Sequence, residues 1–353
     1  MSNTKVIKLN PNSIDQKAIV EAVAVLDNGG LVVFPTETVY GVAVNLLDKG
    51  AVDRLKKIKE RPEGKSFSIH VADKSDIEHY AIDILPRVYK LIEKFWPGPL
   101  TLILNAPEGK SIGLRLPRNE IALSLLWRVD FPVIAPSANR AGHVPPVNAQ
   151  EALRDMDGLV DLVLDGGPTE LRQESSVLDA RVLPFTVLRE GALKKEELMA
   201  VANQKTVLFV CTGNSCRSVM AEYLLKKAMI DRGRDDVEVL SAGTFAFFGM
   251  GPTRETVRLI EGIGLDASDH HAQKINAELI KKCDLIFAME THHRDEIVRI
   301  YPQSEERVHL LAEFVKLDSD DREVHDPLGK SEDFYKMSFQ KIKAAIEKLG
   351  DLI

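Results

Sequence analysis

The chain has 353 residues, a length at which two cores are the ordinary expectation. A formal net charge of -7 argues against a surface that holds nucleic acid mainly by charge, so no strong direct nucleic-acid binding is expected, although local basic clefts stay open. Three cysteines, Cys211, Cys216 and Cys283, exclude a disulfide scaffold and fit a reducing, cytoplasmic setting. The start, MSNTKVIKLNPNS, lacks the apolar core of a signal peptide, and no apolar run approaches the ~20 residues that a membrane span needs.

Taken in order, the first element is a helix carried by Ala18, Ile19, Ala22, Val23 and Leu26 and stopped by Asn28-Gly29-Gly30. Strand patterns follow at 31–34, 67–71, 100–104, 113–116, 133–135, 162–164, 176–178 and 185–188. Helical patterns lie at 48–60, 75–79, 84–94, 119–128 and 148–155. Strands outnumber helices, which predicts a twisted mixed sheet with helices on one or both faces. The polar stretch 190–205 reads as a closing helix and a linker, giving a first domain over 6–195, a linker over 196–204 and a second domain over 205–353.

From residue 206 the pattern alternates without interruption. Strands at 206–210, 237–241, 285–289 and 308–310 are separated by helices at 219–231, 253–263, 276–282 and 291–300, and a last helix covers 333–349. Such alternation predicts a doubly wound parallel sheet, which binds ligands at the carboxyl ends of its strands. At the first of those ends stands Cys211-Thr212-Gly213-Asn214-Ser215-Cys216-Arg217-Ser218. A polar loop with a thiol and an arginine six residues apart suits phosphate. Backbone N–H groups point inward, the arginine forks onto two oxygens, and the thiol lies beneath phosphorus. The following helix directs its N-terminal dipole at the loop and, with Arg217 and the Ser218 hydroxyl, favours a Cys211 thiolate. An acid for the leaving group is supplied best by Asp326 in Val324-His325-Asp326-Pro327-Leu328-Gly329, where no neighbouring Lys or Arg is an obvious partner.

These residues, with Met220-Ala221-Glu222, Ser241-Ala242-Gly243, Asp326-Pro327 and Asp333-Phe334-Tyr335, resemble the low-molecular-weight protein tyrosine phosphatase family, which includes arginine phosphatases and one class of arsenate reductases. The resemblance implies Cys211 as nucleophile, Arg217 as phosphate clamp and Asp326 as acid and then base. It implies that Gly213, Asn214, Ser215 and Ser218 support the loop, that Cys216 can trap Cys211 as a disulfide, and that no cofactor is needed. Two positions depart from the phosphotyrosine pattern: Ser215 stands where a bulky apolar residue is usual, and Leu328 where an aromatic is usual. A phosphorylated protein bearing phosphotyrosine or phosphoarginine is the expected partner. Phe247 and Phe248 are candidates for an aromatic wall. Arsenate reduction, or a regulatory domain that only binds phosphate, is the rival reading.

In the first half, cations and hydroxyls recur at predicted strand ends: Lys59-Glu60-Arg61-Pro62, Gly113 to Arg118, Pro136 to Asn139 and Val187-Leu188-Arg189. If they converge, they form a cationic pocket for a nucleoside triphosphate. No Walker or Rossmann glycine signature is present, so such a site is of another kind. The segments Phe34 to Gly41, Lys59-x-Arg61-Pro62, Phe95 to Thr101, Arg115-x-Pro117, Ser137-Ala138-Asn139 and Ser175-Ser176-Val177 are similar to the YrdC-like L-threonylcarbamoyladenylate synthases. The resemblance implies threonine contacts from Thr38, His70, Arg115, Ser137 and Ser175, and ATP contacts from Lys59, Arg61, Asn139 and Arg189. L-threonine, bicarbonate and ATP are the implied substrates, with Mg2+ on the nucleotide, and the product serves t6A formation at position 37 of tRNA through a downstream threonylcarbamoyl-transferase complex. Lys65, Ser66 and Leu171 to Glu174 depart from the family pattern near the expected ATP loops. The phosphatase-like half is expected to stand where long family members carry a further domain. An RNA-binding module without catalysis is the rival. The adjacent pairs His270-His271 and His292-His293 point apart on a helix or a strand, and without CxxC or HExxH no protein metal site is expected.

Overall fold

A computed structural model describes residues 4–60, 67–317 and 322–353. The chain divides into two compact units, Met1–Ala202 and Asn203–Ile353. The first unit holds ten strands: β1 Lys5–Lys8, β2 Val32–Phe34, β3 Gly41–Asn45, β4 Ile69–His70, β5 Leu100–Ala106, β6 Lys110–Arg115, β7 Val133–Ile134, β8 Leu162–Asp165, β9 Ser176–Asp179 and β10 Thr186–Arg189. They form one mixed sheet in the order β1-β8-β2-β3-β7-β4-β6-β5-β9-β10.

Alternation along these strands feeds two cores. On β2, Val33 enters one core while Val32 and Phe34 enter the other. On β3, Val42 and Val44 oppose Ala43, and on β8, Val163 opposes Leu162 and Leu164. A strand turns successive side chains to opposite faces, so both faces need cover. Helices Gln16–Asp27 and Glu120–Leu126 cover one face through Ile19, Leu26, Ile121 and Leu125. Helices Lys49–Ile58, Pro86–Phe95 and Ala149–Met156 cover the other. The expected mixed sheet is therefore present. Strands β1 and β3 were not among the expected strands. β1 is an exposed edge strand with little apolar signal, and β3 begins at Gly41, the last residue of a run read only as a motif.

The expected linker 196–204 is shorter. Helix Lys195–Ala202 buries Leu198, Val201 and Ala202 in the first unit's core, which extends that unit through Ala202.

The second unit is a parallel sheet of β11 Lys205–Cys211, β12 Val237–Gly243, β13 Leu285–Ala288 and β14 Val308–Leu310, in the order β12-β11-β13-β14. The chain leaves β11 for β12 on one side, then crosses to β13 on the other. The carboxyl end of β11 is thus the topological switch point, where open parallel sheets place ligands. Val207 and Phe209 pack toward helices Arg217–Asp231 and Glu332–Leu349; Leu208 and Val210 pack toward Ala277–Lys281 and Thr291–Ile300. Among the described residues no helix is long and apolar enough to cross a membrane.

Phe209 is fully buried in the central strand and stacks on Phe287, with ring centroids 5.7 Å apart. Replacing it by alanine removes a ring that the parallel sheet cannot collapse to fill. Phe209→Ala is expected to cost about 3–5 kcal/mol, read from the shift of the second unit's unfolding transition in urea.

Candidate active sites

In the first unit a cavity of about 410 Å³ opens against β4, β5, β6, β9 and β10. Lys59, His70, Arg115, Ser137, Ser175 and Arg189 all line it, so six of the nine residues named above converge. Thr38 stands one contact behind: its hydroxyl accepts from Arg115 Nη2 at 2.7 Å and pairs with Thr36 Oγ1 at 2.8 Å. Asn139 also acts through a neighbour. Its carbonyl and its Oδ1 accept from Lys59 Nζ at 2.6 and 3.1 Å, and Lys59 reaches the Ser137 carbonyl at 3.0 Å. Arg61 lies outside the described residues, as do Lys65 and Ser66.

Sheet register explains the grouping. His70 on β4 lies beside Arg115 on β6, at the ends where both strands stop. Arg115 is buried, and so is its partner Glu37, whose Oε1 accepts from Arg115 Nη2 at 2.8 Å. Glu37 Oε2 also accepts the Arg118 N–H at 3.1 Å. Glu37 was quoted in the Phe34–Gly41 run without a role; a carboxylate between two apolar strands needs a buried cation, and that was the available signal. Arg115 Nε and His70 Nδ1 have no partner among the described residues. Burial, and then the Arg115 charge, push the His70 pKa down to about 3. Arg189 donates to the Ser175 carbonyl and hydroxyl at 3.0 and 3.1 Å and to Glu174 at 2.6 Å, and Thr101 meets the Ser175 hydroxyl at 2.9 Å. Thr101 and Glu174 also line the cavity and were missed as site residues.

In the second unit Cys211 ends β11, the loop follows, and Arg217 opens the next helix. The Cys211 thiol and the Ser218 hydroxyl are 3.0 Å apart. Asn214 takes a left-handed conformation (φ 53°), which Asn tolerates better than most side chains. It donates to the hydroxyls of Ser218 at 3.0 Å and Ser241 at 2.7 Å, and its Oδ1 accepts the Gln273 N–H at 2.9 Å. Ser241 in turn donates to the buried Glu222, and His270 Nε2 lies 3.1 Å from the Asn214 carbonyl. Glu222 and Ser241 were quoted as matching pieces without this linkage.

Arg217 is 99% buried, and its guanidinium gathers the rest of the site. Nη1 pairs with Glu290 and donates to the Val324 carbonyl at 2.9 Å; Nη2 pairs with Asp326 at 2.7 Å. No neighbouring Lys or Arg was an obvious partner for Asp326, and the partner it takes is the distant Arg217. Its partner lies 109 residues earlier in the chain, where local sequence gives no sign of it. Ser215 and Gly213 are half-buried in the loop, and Leu328 is exposed with its N–H on Asp326 Oδ1 at 3.0 Å. Phe247 and Phe248 are exposed, and their loop is tied to the phosphate loop by Phe245 N–H to the Thr212 carbonyl and Thr253 N–H to the Ser215 carbonyl. Cys216 is buried against the Tyr335 hydroxyl, 3.5 Å away, and both loop cysteines are free thiols. Cys283 is out of play: its thiol donates to the Leu279 carbonyl, and burial pushes its pKa up to about 12.

Two tests follow from this geometry. A Cβ at Gly243 would sit 2.5 Å from the Thr212 carbonyl oxygen and 2.8 Å from the Asn214 nitrogen, both backbone of the loop. Gly243→Ala is expected to leave the unit folded by circular dichroism while weakening phosphate binding in calorimetry. For His70, the folded pKa lies below the unfolded value, so between about pH 3 and 6.5 the unfolded chain binds the extra proton. Stability therefore rises with pH through that window and is lost on acidification. His70→Gln is expected to flatten the first unit's melting temperature between pH 6.5 and 4, measured calorimetrically.

Residues 24–191 match the Sua5/YciO/YrdC family model, described as telomere recombination, and residues 206–352 match the model of the low molecular weight phosphotyrosine protein phosphatases. The threonylcarbamoyl-AMP synthase of Pyrococcus abyssi is 37% identical over 200 residues, covering 54% of this chain and 59% of that protein. The chain thus spans under two thirds of that relative. A putative threonylcarbamoyl-AMP synthase of Mycobacterium tuberculosis is 34% identical over 52% of this chain and 89% of its own length. Among solved structures, a Pyrococcus abyssi Sua5 variant aligns over 86% of this chain and 97% of its own, with 26% identity and a TM-score of 0.53. A low molecular weight protein tyrosine phosphatase from T. tengcongensis is 36% identical over 42% of this chain and all of its own, with a TM-score of 0.40. The chain belongs to the Sua5/YciO/YrdC family through its first half and to the low molecular weight phosphotyrosine protein phosphatases through its second.

Proposed function

We propose that the chain carries two enzymes. The first half joins L-threonine, bicarbonate and ATP into threonylcarbamoyl-AMP; the second hydrolyses phosphorylated protein side chains through a phosphocysteine. The observation that supports the first reading best is the convergence of Lys59, Arg115 and Arg189 with the Ser137 and Ser175 hydroxyls on one cavity. The threonine amine and bicarbonate condense to a carbamate with loss of water. A carbamate oxygen then attacks the α-phosphorus, and the bond to pyrophosphate breaks. Little covalent work falls to the protein, which positions the reactants and offsets developing phosphate charge. The described lining offers one carboxylate, Glu174, and Arg189 engages it, so Mg2+ enters as part of the ATP complex. The adenylate would pass to a threonylcarbamoyl-transferase acting on tRNA.

In the second half, Cys211 at the switch point beside the Ser218 hydroxyl, with Arg217 opening the next helix and paired to Asp326, supports an in-line displacement. The thiolate sulfur attacks phosphorus, and the bond to the leaving oxygen or nitrogen breaks as Asp326 protonates it. Water then attacks phosphocysteine, Asp326 takes its proton, and inorganic phosphate leaves. The small, half-buried Ser215 and the outward Leu328 leave space for a guanidinium phosphate as well as a phenyl phosphate.

Pyrophosphate release that requires both threonine and bicarbonate is the expected signature of the first half, falling about a hundredfold in Lys59→Ala. No release, together with tight RNA binding, would replace this reading with the RNA-binding module. For the second half, phosphotyrosine and phosphoarginine peptides and arsenate form the decisive panel. Turnover of a phosphopeptide that vanishes in Cys211→Ser supports the phosphatase, whereas reduction of arsenate alone contradicts it.

A further inference from the structure

The adjacent histidines 292 and 293 have no part in the chemistry described so far. Their surroundings differ sharply: His292 is exposed, while His293 is fully buried. His293 sits in the first turn of helix Thr291–Ile300, and its Nδ1 accepts the Glu290 N–H at 3.2 Å, while the Glu290 side chain accepts from the His293 N–H. A ring nitrogen that accepts carries no proton, so the neutral ring holds its proton on Nε2. Burial, and then the neighbouring His292 and Arg217, push the His293 pKa down to about 3, which keeps the ring neutral at working pH. Nε2 lies 2.9 Å from Thr212 Oγ1 and must therefore donate to it.

Thr212 is the first residue of the loop after Cys211. Its hydroxyl has two lone pairs and one proton. His293 fills one lone pair, and Arg217 Nη2, at 3.3 Å, fills the other. The proton is then the part of the hydroxyl still to be used, and it has no acceptor among the described residues. The hydroxyl shares Arg217 Nη2 with Asp326, whose Oδ2 is 2.7 Å from that nitrogen, so it lies where phosphate and leaving group must meet.

We propose that the Thr212 hydroxyl donates to a phosphoryl oxygen of the substrate, and that His293 is a positioning residue that turns the hydroxyl so that its proton faces that oxygen. This rests on the phosphatase reading of the second half and adds to it a donor outside the Cys-Arg-Asp set. The logic is that of a two-acceptor lock: with both lone pairs filled by fixed donors, the hydroxyl has one rotamer in which its own proton is useful. Hydrogen bonds to charged acceptors of this kind are worth roughly ten- to a hundredfold in an equilibrium.

The test measures inorganic phosphate affinity by calorimetry, together with kcat and KM for p-nitrophenyl phosphate, on the whole chain. Thr212→Val keeps the shape and removes the donor; it is expected to weaken phosphate and lower kcat/KM by about ten- to a hundredfold. Thr212→Ser keeps the donor and is expected to lose far less than Thr212→Val. His293→Leu is expected to reproduce the Thr212→Val phenotype, and His293→Gln, whose amide can both accept and donate, to restore most of the loss. If Thr212→Val does not fold, Thr212→Ala makes the same comparison. Wild-type phosphate affinity and kcat/KM in the folded valine or alanine variant would overturn the proposal while leaving the phosphatase reading intact. A wild-type protein that binds no phosphate would overturn both. A purely packing role for His293 would lower the melting temperature without the recovery by glutamine.

Discussion

A guanidinium taken out of water must be met by an anion, because an unpaired buried charge costs several kcal/mol. Each half of this chain is arranged around one such group. In the first, Arg115 lies among Glu37, Thr38 and the strand-end His70. In the second, Arg217 lies among Glu290, Asp326, Thr212 and the Val324 carbonyl. Both keep their Nε without a partner among the described residues. Loop 35–40 delivers Glu37 and Thr38 to the first arginine, and loop 322–328 delivers the Val324 carbonyl and Asp326 to the second.

The two pairings differ in a way that matters for chemistry. The Arg115–Glu37 pair is closed to solvent on both sides, and Glu37 spends its second oxygen on the Arg118 N–H, so it behaves as a fixed part of the wall. The Asp326 carboxylate is 39% exposed, at the mouth of its site. In the proposed phosphatase reaction, an incoming phosphoryl group would compete with it for the same guanidinium, and Asp326 would be freed toward the leaving group as phosphate takes Arg217. A network from Asn214 through Ser241 and Glu222 ties the loop to the sheet and the following helix.

Much of this was legible in the sequence, for identifiable reasons. The second half read well because parallel strands buried on both faces, such as 206–210, are continuous apolar runs, and because Cys211 and Arg217 are local in sequence. The first half gave its mixed sheet but hid β1, which is short, exposed and only weakly apolar. Its convergent cations were visible singly, and a cavity became visible only once register set His70 beside Arg115. The partners of the buried arginines were the least legible feature. Glu37 stands 78 residues from Arg115, and Asp326 stands 109 residues from Arg217, so no local pattern announces either pair. His293 was visible as half of a pair, but its tautomer depends on a backbone N–H that only the helix start supplies.

In the proposed reactions, each chemistry depends on the fork geometry of its own buried arginine. The most direct measurement assays both activities in Arg115→Lys and in Arg217→Lys, each compared with wild type. Lysine keeps the charge but loses the planar set of donors that meets two acceptors at once. The first variant is expected to lose threonine-dependent pyrophosphate release and keep phosphatase turnover, and the second to do the reverse. Retention of pyrophosphate release in Arg115→Lys, or of phosphatase turnover in Arg217→Lys, would contradict that dependence.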